Sequence, residues 1–171
     1  MVDGSEELRA LCRQELIAIE TIWRRTPYLL GITFQTTAGK ITIIGEDHML
    51  KDKTDIFSLS VSKYDEKKWW PEIRAEEGVR DLAREWGELS VSQLFRPPRN
   101  VRFFTDEDFD EILDTREAIL MRCVAMEFSA PEDPKPRLLI TAEQCNISVF
   151  IDDECEENIR PYFVEYDPGP F

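Results

Sequence analysis

The stretch YLLGITFQTTAGKITIIGE (28–46) constrains the fold more than any other part of this chain. Two alternating apolar runs flank TTAGK, whose glycine permits a tight turn, so 29–46 predicts a β-hairpin. Leu30, Ile32 and Phe34 alternate with Leu29, Gly31 and Thr33. A period of two presents one face on a strand and scatters around a helix.

Upstream the period differs. Leu8, Cys12, Leu16, Ile19 and Trp23 recur at helical spacing, with Leu11 and Ile22 widening the stripe. This predicts an amphipathic helix over 5–25, capped by Asp3 or Ser5, with Pro27 just beyond its end. Downstream, FSLSVS (57–62) sets Phe57, Leu59 and Val61 against three serines, the pattern of an antiparallel strand with one wet face. Pro71 opens a second expected helix over 72–86, carrying Ile73, Val79, Leu82 and Trp86 and ending at Gly87. Gly78 in its middle argues against it.

LFRPPRNVRFF (94–104) reads as a connector, because Pro97 and Pro98 do not fit a central strand. A third helix is expected over 105–116, with Thr105 as N-cap, Asp108 completing a capping box and Phe104 with Phe109 as a hydrophobic staple. Strands follow at 118–128, 137–142 and 145–151, the first two separated by APEDPKP as a turn. In DDECEEN (152–158) Asp153 and Glu156 repeat the capping spacing, predicting a short helix that stops before Pro161.

The expected class is therefore α+β. It comprises antiparallel sheet of about six strands, with the N-terminal helix and two or three further helices packed on one side. At 171 residues the chain suits a single domain spanning 1–171. The order of elements hints at two similar halves, 1–87 and 105–171, joined by a connector over 88–104.

Net charge is −14, and its distribution says more than its size. Residues 1–100 hold 17 acids against 15 bases, whereas residues 101–171 hold 18 against 6. A field of that sign repels nucleic acid and anionic lipid and draws basic surfaces or cations. No apolar run approaches the roughly 18–20 residues of a membrane span, and no secretory or lipidation signal is visible. The expected location is cytoplasmic, with neither a membrane nor a nucleic-acid partner. Cys12, Cys123, Cys145 and Cys155 are widely spaced and suit reduced thiols. With His48 the only histidine, a site with two histidine ligands is impossible.

No nucleophile elbow, P-loop or dinucleotide glycine motif is present, and nothing specifies an enzyme or a cofactor. The leading expectation is a non-enzymatic, acidic interaction module whose C-terminal half meets a basic protein surface. A toxin bound by an immunity-type inhibitor, a client held by a chaperone, and a DNA-binding surface blocked by a DNA mimic would all suit. The candidate contact acids are Asp110, Glu111, Asp114, Asp152, Asp153, Glu156 and Glu157. Trp69 and Trp70, adjacent in KKWWP (67–71), are candidate aromatic contacts for the partner or for a homodimer. RPPRNVR (96–102) places Arg96, Arg99 and Arg102 on a solvated connector, with a polyproline ligand as the alternative. The competing expectation is a metal-dependent hydrolase or nuclease using strand-end carboxylates, with Glu46, Asp47, Asp152 and Asp153 as ligands.

Overall fold

The computed structural model describes residues 4–23, 29–49, 55–63, 78–81, 96–106, 123–144 and 146–167. Among these residues ten strands carry the fold: β1 (Leu16–Trp23), β2 (Leu29–Thr36), β3 (Gly39–Met49), β4 (Asp55–Lys63), β5 (Gly78–Asp81), β6 (Asn100–Asp106), β7 (Ala125–Ala130), β8 (Asp133–Glu143), β9 (Asn146–Ile151) and β10 (Phe163–Tyr166). Two short helices accompany them, α1 (Ser5–Arg13) and α2 (Asp153–Asn158). The expected α+β class is thus corrected: the described chain is mostly β, in two antiparallel sheets.

The strand orders are β4-β3-β2-β1-β5 and β10-β6-β7-β8-β9. Both sheets therefore share one topology, a four-strand meander whose fifth strand returns to pair with the first. The first sheet draws only on residues 16–81 and the second only on residues 100–166.

The hairpin over 29–46 forms as its alternation demands, with Phe34 opposite Ile41 and Ile32 opposite Ile43. The expected helix over 5–25 ends at Arg13, and LIAIETIW continues as β1. The register slips between Leu16 and Ala18, leaving Ile17 as an extra residue 55% exposed while Leu16 and Ile19 are both buried. A bulge of this kind turns a spacing of three into two inward positions, which imitates a helical stripe. Four β-branched residues in this octet favour the strand.

The expected helix over 72–86 is contradicted at Gly78–Asp81, which forms β5 against Glu20–Trp23. The expected cap Thr105 instead lies within β6, opposite Val164 of β10, and its buried hydroxyl has no hydrogen-bond partner among the described residues. Phe104, cast as half of a staple, packs with Phe163 and Cys155. Residues 107–116 lie outside the described residues. The serines of β4 are not a wet face: Ser58 is buried and Ser60 and Ser62 are half-buried.

One core joins the sheets. Ile19, Ile32, Phe34, Ile43 and Leu59 of the first meet Phe103, Met126, Phe128, Leu138 and Ile140 of the second, with Leu8 and Leu11 of α1 alongside. Phe34 and Phe128 stack across the interface at 5.8 Å between centroids. Each fully buried side chain of this size contributes about 1.5–3 kcal/mol. Among the described residues no helix is long and apolar enough to cross a membrane.

Candidate functional site

The outer face of the second sheet is the best-built polar surface among the described residues. All six residues of β7 are buried, so this central strand is covered on both sides. Met126 and Phe128 enter the main core, and Ala125 joins a second cluster with Phe104, Leu139 and Cys155. Cys155 is the buried residue of α2 and fastens that helix to the sheet. Its thiol donates to the Phe150 carbonyl at 3.4 Å.

Glu127 sits on this outer face, only 1% exposed, directly opposite Arg102 of β6. Arg102 donates to Glu127 Oε1 from Nε at 2.7 Å and lies 3.3 Å from Glu165 Oε2 of β10. Glu127 Oε2 has no hydrogen-bond partner among the described residues. Burial pushes the Glu127 carboxyl above its ordinary value; Arg102 offsets only part of this, and the charges of Glu165 and Glu156 add to the rise. At Arg102, burial lowers the guanidinium, but its bonds to Glu127 and Glu165 outweigh that and raise it. The two directions are compatible because the desolvation falls mainly on the enclosed carboxylate, whereas Arg102 is 43% exposed.

Cations and aromatic rings line the same face. Arg102 lies 5.5 Å from the Phe104 ring, Phe104 lies 6.4 Å from Phe163, and Arg160 lies 5.7 Å from Phe163. Arg160 also pairs with Glu143 and donates to the Tyr162 hydroxyl at 2.9 Å. Such contacts are each worth about 0.5–1 kcal/mol where partly exposed, and they order the segment between α2 and β10.

The acids of α2 project from this platform. Asp153, Glu154, Glu156 and Glu157 are exposed around the buried Cys155. The expected cap is corrected: the N-cap is Asp152 at φ 48°, without a side-chain capping bond, and Asp153 pairs instead with Lys135 of β8. The structure thus groups Asp152, Asp153, Glu156 and Glu157 on one short element. Asp110, Glu111, Asp114, Trp69 and Trp70 lie outside the described residues.

The four proposed metal ligands do not come together. Glu46 and Asp47 of β3 pair with Ser58 and Phe57 of β4, and neighbouring Gly45 packs against the Asn146 backbone. Asp152 and Asp153 lie beyond the far end of β9, at the start of α2. Among the described residues no three His, Cys, Asp or Glu side chains converge as a metal site.

The connector arginines are also corrected. Arg96 is exposed, as a solvated connector requires; Arg99 is buried and donates from Nη1 to the Leu11 and Gln14 carbonyls at 2.5 and 2.6 Å. Arg102 belongs to the Glu127 pair. The described thiols, Cys12, Cys123 and Cys155, are all free. Burial pushes Cys123 and Cys155 up to about 12, so neither is a thiolate nucleophile near neutrality. Sequence reasoning passed over Glu127, although a lone acid in the apolar run AMEFSA was a visible signal. Compared with protein-family models, curated proteins and solved structures, the chain matches none.

Proposed function

We propose that this protein is a non-enzymatic interaction module that binds a basic protein surface through its acidic C-terminal half. One observation carries the reading: Glu154, Glu156 and Glu157 stand exposed on a helix anchored at Cys155, and no cation pairs with them among the described residues. Glu165 and Asp167 add exposed carboxylates near β10, beside Val164, which is 46% exposed. An apolar contact rimmed by acids suits a basic partner, and charge complementarity would speed association more than it deepens affinity. An immunity-type inhibitor of a basic toxin and a chaperone of a basic client both fit this description.

The test is capture from host lysate by the full chain, with low-salt and high-salt washes, alongside the triple variant Glu154→Lys, Glu156→Lys, Glu157→Lys. A basic protein held at low salt, released by high salt and lost to the variant supports the proposal. A partner that the variant retains equally, or one insensitive to salt, sinks it.

A further inference from the structure

A cleft of about 700 Å³ lies between the C-terminal end of α1 and the start of β6. Its walls carry Arg9 and Arg13 from α1 and Arg99 and Arg102 from the β6 side, with no carboxylate among the described residues that line it. In a chain of net charge −14 this is a local concentration of positive charge, although Arg102 is itself paired with Glu127 and Glu165, which do not line the cleft. The geometry points to a binding site for a small phosphate-bearing anion, separate from the acidic face of α2.

Arg9, Cys12 and Arg13 occupy positions i, i+3 and i+4, so they share the flank of α1 beside its buried Leu8 and Leu11. Arg9 and Arg13 are exposed and have no ion-pair partner among the described residues. Like charges at i, i+4 destabilise a helix by a few tenths of a kcal/mol, a cost that an anion bound between them would reverse. The negative end of the helix dipole accounts for one cation in this turn, not for the cluster.

Arg99 fixes the opposite wall. Its side chain holds the α1 terminus through Leu11 and Gln14, and its backbone N–H donates to the Cys12 carbonyl at 2.9 Å. The two walls are thereby held in a set relation before any ligand arrives. Asn100 and Ser129, opposite one another in the β6–β7 register, add neutral donors to the floor. Burial pushes the Cys12 thiol up to about 11 despite Arg99 and Arg13, so it adds no negative charge that would offset the arginines.

Guanidinium forks match phosphate oxygens in bidentate geometry; Arg9 and Arg13 present two such forks, whereas Arg99 is bonded to the Leu11 and Gln14 carbonyls and Arg102 to Glu127 and Glu165. The volume falls within the range of small-molecule sites. A long nucleic acid is disfavoured, because outside the cleft it meets the chain's acidic field. A small anion feels chiefly the charges within one screening length, about 8–10 Å.

Inorganic pyrophosphate is the probe, titrated calorimetrically into the full chain in low-salt buffer free of phosphate and sulfate. Saturable one-to-one binding is expected. The Arg9→Gln, Arg13→Gln double variant should weaken it at least about tenfold, and Arg96→Gln, outside the cleft, should leave it unchanged. No saturable heat at millimolar pyrophosphate, or equal binding by the double variant, overturns the site. Tighter binding of citrate overturns the phosphate assignment, and preference for a single-stranded oligonucleotide overturns the small-ligand one. Should the double variant fail to fold, Arg9→Lys keeps the charge and removes the fork; it is expected to weaken binding several-fold, and unchanged affinity would count against the proposal.

Discussion

Glu127 is buried on β7 between Arg102 of β6 and Leu139 of β8, with one carboxylate oxygen unpartnered among the described residues. Its native carboxyl is raised above the ordinary 4.5, so the folded state holds this proton more tightly than the unfolded chain does. That contribution is complete below the ordinary value and is lost as pH rises through the raised native value. Glu127→Gln does not titrate, so its stability relative to wild type should improve as pH rises above the ordinary carboxyl value of 4.5. Urea midpoints at each pH measure this, and a flat difference would show that Arg102 fully offsets burial. Removing the cation alone is the more damaging change. Arg102→Met leaves a buried carboxylate without its partner and should cost about 2–3 kcal/mol, below the range for a fully enclosed pair because Arg102 is partly exposed. The double variant Arg102→Met, Glu127→Leu should recover most of that loss, and failure to recover would assign the cost to packing.

Among the elements, β3 and β9 belong to different sheets yet approach closely at Gly45. A Cβ added there would overlap the Asn146 backbone, which has no flexible side chain to yield. Gly45→Ala is expected to cost about 2 kcal/mol by forcing the sheets apart. Gly39, in the β2–β3 turn at φ 143°, has open space around its Cβ position, so Gly39→Ala bears only backbone strain of about 1 kcal/mol. Denaturation midpoints separate the two, and equal costs would contradict the close approach. Element identity was legible where alternation was unbroken, as in β2 and β3. It was misread in β1, where the bulge at Ile17 produced helical spacing, and at Thr105, whose good capping sequence lies in a strand. Local capping preferences of about 1 kcal/mol yield to burial of neighbours such as Phe103 and Phe104.

For the molecule as a whole, the two five-stranded sheets come from separate stretches of chain but share one core. Unfolding should therefore be a single transition. All four tryptophans lie at or before residue 86, so fluorescence reports chiefly on the first stretch while far-ultraviolet circular dichroism reports on both. Coincident curves are expected, and a second transition seen only by circular dichroism would mean that the sheets unfold independently.

By itself the sequence determined the hairpin at 29–46, strand at 125–128, 137–142 and 146–151, and the short helix after residue 152, because each depends on local period and turn chemistry. It took the start of β6 for a connector and the start of β8 for a turn, and gave no sign of β10. It also determined the uneven charge, which is a matter of counting. Only the tertiary structure decided that Glu127 is buried against Arg102, that Arg99 closes α1, and that four arginines share one cleft. Arg102 lies 25 residues from Glu127 along the chain, and Arg99 lies 88 from Leu11. Pairing across such distances follows from strand register and sheet packing, which no local pattern encodes.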